Sequence, residues 1–171
     1  ESVMGEMATR RLLERGHRRI GFVSGNLVEG LWNTQWLKGY QRAAMNSPME
    51  SDPQLIHSSN ESLTGSEPIL AVTRPATGYV VPDIRLAASL VTALNAKGTP
   101  IARESIIMSG PDVRLRERYG LNGFPWIGYD VNQLAAVAVQ QLQHVCQEPA
   151  PCSMEIVVPF THQDLPPLKG N

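Results

Sequence analysis

The feature that most constrains this chain is the alternation of short apolar runs with amphipathic segments along its length. The runs at 20–23, 78–81 and 105–109 have the length of buried strands and are too short for buried helices. Between them, apolar residues recur at helical spacing. Because neighbouring parallel strands are joined by crossovers, usually helices, the alternation predicts an α/β fold: a mostly parallel sheet with helices on both faces.

The predicted elements follow one another with short connections. Helices are predicted at 2–15, 31–46, 67–72, 83–97 and 130–146. Strands are predicted at 20–23, 54–57, 78–81, 105–109, 126–129 and 154–158. The segments 58–65 and 110–124 are predicted to be irregular, and 159–171 to be a tail. In such a sheet a ligand is expected at the carboxyl ends of the strands.

Composition limits the kinds of partner that the chain can have. Of 171 residues, 42% are hydrophobic and 18% are charged, which is enough apolar material for a folded core. Fifteen basic residues stand against sixteen acidic ones, and this balance argues against a nucleic-acid-binding domain. No apolar run reaches the roughly 18 residues that a membrane helix needs. Because the chain starts inside a predicted helix, we expect it to be part of a longer protein.

One basic cluster lies at the corner between the first predicted helix and the first strand. Residues 17–19, with the sequence His-Arg-Arg, directly precede the apolar run. They could contact nucleic acid or bond to local backbone and acidic groups, and the balanced charge of the chain favours the second interpretation. The acidic residues Glu50 and Asp52 lie in a polar loop and are expected to be solvated.

Residue types that support catalysis or metal binding do not occur in a suitable pattern. The cysteines Cys146 and Cys152 could pair across a short loop or remain reduced thiols. The four histidines lack metal-ligand spacing. There is no glycine motif of the kind that cradles phosphates and no serine in a nucleophile elbow. We therefore predict from the sequence that the protein is not an enzyme and that it uses no catalytic residue, metal or cofactor.

Four segments, taken in order, resemble the lac repressor/galactose repressor family of bacterial transcription regulators. They are ATRRLLERGHRRIGFVSG (8–25), WLKGYQRAA (36–44), GYVVPDIRLAASLVTALNAKGTPIARESIIMSGPD (78–112) and GYDVNQLAAVAVQQL (128–142). Together they cover nearly all of the chain. The resemblance implies a periplasmic-binding-protein-like fold, which in this family is a two-subdomain effector-binding core attached to a DNA-binding helix-turn-helix.

The resemblance also implies how the chain is divided. Residues 1–16 would be a helix of the first effector subdomain, 17–128 the second subdomain, 129–147 a helix returning to the first, and 148–171 the final strand and tail. The helix-turn-helix and most of the first subdomain would lie outside the chain. We therefore expect the helices at 2–15 and 130–146 to expose apolar surface, or to be covered by another chain.

The candidate ligand-binding residues implied by the resemblance are Asp112, Trp36, Trp32, Asn60, Asp83 and Tyr129. Asp112 lies where the family has an aspartate that bonds effector hydroxyls or amines; alternatively it caps a turn. Trp36 stands where the family has an arginine that contacts the effector. It could stack on a sugar ring or be a core tryptophan, and it gives no support to an anionic effector.

Each of the other four candidates could have a structural role instead of a ligand contact. Trp32 begins the same helix as Trp36, on the loop side. Asp83 suits either a helix cap or a ligand contact. Asn60 could hydrogen-bond a ligand or lie on a surface loop, and Tyr129 could line the cleft or pack at an edge.

The predicted helix at 83–97 is apolar around most of its circumference, which indicates contacts beyond the sheet. Members of the family dimerise through this subdomain, so the resemblance implies a two-fold interface; burial within the domain is the alternative. The implied interface residues are Ile84, Ala87, Leu90, Val91 and Leu94.

These features together predict the ligand-sensing and dimerisation domain of a cytoplasmic bacterial regulator. A small, uncharged, sugar-like effector would bind between the subdomains and change DNA binding by the helix-turn-helix, without membrane contact. One alternative is a periplasmic sugar-binding protein of an uptake system. Another is an enzyme on a flavodoxin-like sheet, which would need a cofactor loop or an acid cluster at the strand ends.

Overall fold

The strands of the protein form one six-stranded sheet. A computed structural model describes residues 2–27, 30–58, 74–110, 112–147 and 160–162. The strands are β1 (Ile20–Ser24), β2 (Ile56–Ser58), β3 (Gly78–Val81), β4 (Ile106–Ser109), β5 (Trp126–Tyr129) and β6 (Phe160–His162). Their order is β2-β1-β3-β4-β5-β6; the first five are parallel and β6 is antiparallel to β5. The predicted α/β fold with a mostly parallel sheet is confirmed.

Helices cover both faces of this sheet. The described helices are α1 (Ser2–Glu14), α2 (Leu31–Met45), α3 (Ile84–Ala96), α4 (Val113–Arg118) and α5 (Val131–Gln147), with short 3-10 turns at Pro53–Leu55 and Arg103–Ser105. Of these, α1 and α2 cover one face and α3 the other. Successive side chains of a strand point to opposite faces, so β1, β3, β4 and β5 each contribute to two cores. Phe22, Val80 and Ile107 pack with residues of α1 and α2 on one face. Val81 and Met108 pack with residues of α3 on the other.

The backbones of α1 and α2 lie in direct contact, because a glycine stands at each point of closest approach. A Cβ atom at Gly39 would overlap the carbonyl of Ser2 and lie 2.6 Å from the backbone nitrogen of Glu6. A Cβ atom at Gly5 would overlap the backbone of Trp36. Both glycines are therefore required by the space between the helices.

This packing overturns the expectation of an exposed apolar surface on the first helix. Met4, Ala8 and Leu12 of α1 are each 1% exposed or less and belong to the core beneath the sheet. The physical reason is the glycine contact, which lets α1 lie flat against α2. In α5, by contrast, apolar residues are exposed as expected: Val131, Leu134, Val139 and Leu142. The boundaries at 16, 128 and 147 stay predictions.

Two predicted segments differ from the structure. The segment 110–124, predicted to be irregular, contains α4, because the carboxylate of Asp112 caps a helical turn there. The strand β6 lies inside the predicted tail, whereas the predicted strand at 154–158 falls outside the described residues, as do the predicted helix at 67–72 and most of the loop at 58–65. Across the parts of the chain that the structure describes, every helix is too short or too polar to cross a membrane.

The basic corner at 17–19 is held by local bonds, as the charge balance of the chain indicated. Arg19 is buried, and its Nη1 and Nη2 donate to Glu50 Oε2 at 3.2 Å and to Asp52 Oδ2 at 2.7 Å. Its Nε donates to the carbonyl of Arg74 at 2.9 Å. Arg18 donates to backbone carbonyls of the same corner. Glu50 and Asp52 keep side-chain exposures of 36% and 27%, in agreement with the expected solvation, and both also pair with this buried guanidinium.

The contact between α1 and α2 at Gly39 predicts the sign of the change in the free energy of unfolding for Gly39→Ala. Gly39→Ala should destabilise the fold by about 1–3 kcal/mol through overpacking, whereas helix propensity alone would stabilise it by roughly 1 kcal/mol. Urea unfolding measures the difference. The exposed neighbour Lys38→Ala is the control and should change stability by no more than about 0.5 kcal/mol. If Gly39→Ala proved as stable as Lys38→Ala, the close approach of α1 and α2 would be disproved.

The contact of Arg19 should weaken in acid. The hydrogen bond from Arg19 holds the pKa of Asp52 below its ordinary value of 3.8. The contribution of Asp52 to stability is therefore present above that value and is lost as the pH falls through the lowered pKa. Arg19→Met should be less stable than wild type at neutral pH, and the difference should shrink in urea unfolding on going from about pH 7 to about pH 2. A difference that does not change with pH would contradict this account.

Candidate functional site

The strand order places a crevice at the carboxyl edge of the sheet. From β1 the chain crosses to β2 on one side, and from β2 it crosses back to β3 on the other side of β1. The connections that leave β1 and β3 therefore diverge. In doubly wound sheets ligands bind at such a reversal, outside the carboxyl ends of the strands.

A cavity of about 510 Å³ lies at this edge, next to the ends of β3 and β4. Its volume is within the range of small-molecule sites. The lining residues come from the two strand ends, from the first turn of α3 and from both ends of α4: Pro82, Asp83, Ile84, Arg85, Ser109, Gly110, Asp112, Leu115 and Tyr119. The structure thus brings two of the predicted ligand residues, Asp83 and Asp112, to one cavity.

Asp83 caps α3 and is paired with Arg85. Its Oδ1 accepts a hydrogen bond from the backbone nitrogen of Arg85 at 2.7 Å, and its Oδ2 accepts one from Nη2 of Arg85 at 2.7 Å. Burial raises the pKa of Asp83, but the hydrogen bonds from Arg85 outweigh it and leave the pKa below its ordinary value. The carboxylate is therefore charged at neutral pH. The capping interpretation is confirmed, and a ligand contact by Asp83 stays a prediction.

Asp112 caps α4 and keeps one oxygen available. Its Oδ1 accepts hydrogen bonds from the backbone nitrogens of Arg114 at 2.8 Å and Leu115 at 3.2 Å. Its side chain is exposed and lines the cavity. The alternative of a capping aspartate agrees with the structure. The second oxygen can still accept a hydroxyl hydrogen from a ligand, so the predicted binding role stays open.

Trp32 joins three elements at the same edge of the sheet. Its Nε1 donates at 3.3 Å to the carbonyl of Pro82, a residue of the cavity lining, which links the start of α2 to the end of β3. Its ring lies edge-on to that of Tyr129, the last residue of β5, with centroids 6.4 Å apart. Trp32 is 36% exposed, and Tyr129 is half-buried. These two rings present an aromatic surface at the carboxyl edge of the sheet, outside the lining of the cavity.

Trp36 does not share this accessibility. It lies one turn further along α2, with its ring centroid 6.4 Å from that of Trp32, and it is completely buried. With no exposed surface, Trp36 cannot stack on a ligand in this arrangement. The alternative of a core tryptophan agrees with the structure. Its Nε1 has no hydrogen-bond partner among the described residues.

One predicted ligand residue cannot be placed, and others were missed. Asn60 lies outside the described residues. Arg85 and Tyr119 line the cavity but were not predicted from the sequence. A search for cations in the first turn after each strand would have found Arg85. Tyr119 lies in a segment predicted to be irregular, so no periodicity indicated the direction of its side chain.

The predicted interface residues of α3 are mostly turned inward. Ala87, Leu90 and Leu94 are 4% exposed or less and pack against the sheet, while Ile84 and Val91 are half-buried beside the same core. Three of the five are thus excluded from direct contact with another chain, because the helical repeat places them under α3. The outer face presents other side chains around a shallow depression of about 490 Å³: Arg85, Ala88, Ser89, Thr92, Ala93, Ala96 and Tyr119.

Comparison with known proteins agrees with this geometry. The family model described as periplasmic binding protein-like domain matches residues 9–162. The chain is 26% identical over 152 residues to the ribose operon repressor of Haemophilus influenzae. This alignment covers 85% of the chain and 44% of the repressor. It is 24% identical over 119 residues to the HTH-type transcriptional repressor PurR of Vibrio atlanticus, covering 67% and 35% respectively.

Solved structures share the fold. The transcription regulator CcpA of Lactococcus lactis superposes with a TM-score of 0.76 at 23% identity, over 95% of this chain and 60% of that one. The resemblance to transcriptional regulators predicted from the sequence is confirmed. The chain spans less than half the length of the two curated relatives.

The cap of α3 can be tested apart from any ligand. Asp83→Ala should lower the free energy of unfolding by about 1 kcal/mol, because the backbone nitrogen of Arg85 loses its acceptor. Asp83→Asn keeps an acceptor oxygen and loses only a partly exposed ion pair, so it should cost less than about 1 kcal/mol. Equal losses for the two variants in thermal or urea unfolding would show that the ion pair, and not the cap, stabilises this turn.

Proposed function

The chain belongs to the periplasmic binding protein-like domain family, and from that premise we propose that it is the ligand-sensing domain of a bacterial transcriptional regulator. Its effector is a small, uncharged, sugar-like molecule that binds at the carboxyl edge of the sheet. Supporting this are the two curated relatives, which are both repressors, one of them of a ribose operon. A periplasmic uptake protein and an enzyme have less support from these relatives.

One observation carries the proposal: Asp83 and Asp112 line a single cavity, and Trp32 donates a hydrogen bond to Pro82 of the same lining while its ring packs against Tyr129. A carboxylate oxygen accepts hydrogen bonds from sugar hydroxyls, and such charge-assisted bonds are among the stronger ones in proteins. Aromatic rings offer a flat apolar surface to the less polar face of a sugar. The set suits a ligand with several hydroxyl groups.

The charges at the cavity disfavour an anionic effector. The guanidinium of Arg85 is engaged with Asp83, and Asp112 adds a further negative charge. The buried Trp36 supplies no cationic fork. Among the described residues that line the cavity, a phosphate or carboxylate group on the effector would therefore face carboxylates, and the one arginine there is already paired.

The exposed apolar residues of α5 fit a place between this domain and another part of the full-length protein. Asp130 caps α5 through the backbone nitrogens of Asn132 at 2.9 Å and Gln133 at 3.1 Å, directly after Tyr129. The helix carries no charged residue between 131 and 147, although its apolar side chains are exposed. We place α5 against the first effector subdomain, so that the effector lies between two subdomains.

Regulation then follows from differential binding. An effector that binds one arrangement of the subdomains more tightly shifts the population towards it and changes the DNA affinity of an attached helix-turn-helix. In this proposal the regulator acts in the cytoplasm, as a homodimer that meets its partner through the outer face of α3. This chain by itself contacts neither DNA nor membrane.

The experiment is ligand binding by the full-length protein. Thermal shift with a panel of neutral sugars and nucleosides, followed by calorimetry, should identify at least one ligand, and ribose should bind more tightly than ribose 5-phosphate. Trp32→Ala should weaken binding about tenfold, or about 1.4 kcal/mol. Leu31→Ala, in the same turn and 74% exposed, is the matched control and should bind as wild type does.

Two outcomes would contradict the proposal. In the first, no neutral member of the panel binds, or the phosphorylated sugar binds more tightly. In the second, Trp32→Ala and Leu31→Ala bind equally well while both keep the wild-type unfolding midpoint.

A further inference from the structure

Arg116 is a buried cation with an unusual set of partners. Within the described ranges, Arg19 and Arg116 are the two buried charged side chains, and Arg116 is 8% exposed. Arg19 meets two carboxylates. No carboxylate of the described residues lies within ion-pair distance of Arg116. Its Nη1 donates to the carbonyl of Gly110, and its guanidinium carbon lies 4.6 Å from the centre of the Trp126 ring.

Such burial is costly and calls for a physical reason. A guanidinium withdrawn from water without a carboxylate loses hydration that a carbonyl and a ring replace only in part. Burial lowers the pKa of Arg116, and the charges of Asp112 and Glu117, which lie beyond ion-pair distance, counteract this lowering only in part. An apolar side chain would fill the same volume without that cost. The reason for an arginine at this position must therefore lie in the groups that accept hydrogen bonds from its guanidinium.

Those donors hold the loop that carries Asp112. The side chain of Arg116 donates to the carbonyl of Gly110. Its backbone nitrogen donates to the carbonyl of Asp112 at 3.2 Å, which is the helical bond that a residue of any type would make here. The bond that requires an arginine is therefore the one to Gly110, two residues before Asp112. Gly110 and Asp112 both line the cavity, and the ring of Trp126, at the start of β5, supports the guanidinium from below.

We infer that Arg116 is a positioning residue for the effector site: it clamps the loop after β4 so that Asp112 keeps its carboxylate at the cavity. This inference rests on the proposed function for the identity of the ligand, but the clamp itself does not depend on a ligand. Arg116 touches no effector. It acts through Gly110 and Asp112.

The first test measures the loop without any ligand. In Arg116→Met, amide hydrogen exchange should rise about tenfold or more at Gly110 and at residues 112–115, with little change at the core strands β1 and β3. Arg118→Met, an exposed arginine of the same helix, is the matched control and should exchange as wild type does. Arg116→Lys keeps the charge but lacks the planar fork, so its exchange should lie between the two.

The second test uses the neutral sugar or nucleoside that binds best to the full-length wild-type protein. Arg116→Met should bind it at least tenfold more weakly than wild type does. The affinity of Arg116→Lys should lie between those of Arg116→Met and wild type, and Arg118→Met should bind as tightly as wild type. If Arg116→Met does not fold, Arg116→Lys tests the inference instead. Amide hydrogen exchange in Arg116→Lys must then rise at the loop after β4 and not across the domain.

The outcomes separate the two proposals. Suppose that exchange at the loop is faster in Arg116→Met, but no neutral ligand binds to the wild-type protein. The role of Arg116 as a clamp would then be supported, and the proposed effector class would be overturned. Exchange at the loop equal to that of Arg118→Met would overturn the clamp. An increase spread evenly over the domain, in proportion to lost stability, would also overturn it, since Arg116 would then be a general structural residue.

Discussion

Burial of the central strands on both faces is the constraint on which the rest of this structure depends. β1 and β3 are buried along their whole length, and neither strand carries a charged side chain. Carboxylates come instead within three residues of a strand end: Asp83 after β3, Asp112 after β4 and Asp130 after β5. Because the strands are parallel, all three fall at one edge, where each also begins a helix by capping it.

The two buried arginines show different solutions to the same electrostatic problem. Arg19, at the amino end of β1, is neutralised by Glu50 and Asp52 and ties a loop to the sheet. Arg116, near the carboxyl end, has a carbonyl and an indole ring instead. The first arrangement resists movement because breaking it leaves a buried charge unpaired. The second is directional, since a planar fork fixes the carbonyl that it holds.

The first five strands could be predicted from the sequence because short apolar runs between glycine and polar residues have few other interpretations. Asp83 could be predicted as a cap from its place before an apolar helix. The strand β6 could not be predicted, because its position depends on pairing with β5. Other features depend on tertiary contacts. The inward turn of Ala87, Leu90 and Leu94 depends on which side of an apolar helix meets the sheet. The burial of Trp36 depends on the close approach at Gly5 and Gly39, which no periodicity reveals. Arg116 became significant only when its partners were known.

The path of the chain around α5 has a geometric consequence. The chain leaves the sheet at Tyr129, enters α5, and comes back as β6, in which Phe160 pairs with Tyr129 itself. Departure and return thus lie side by side in the sheet. Trp32 packs edge-on against Tyr129 at the same point. One ring therefore connects the first turn of α2 with the strand from which the 17 residues of α5 extend.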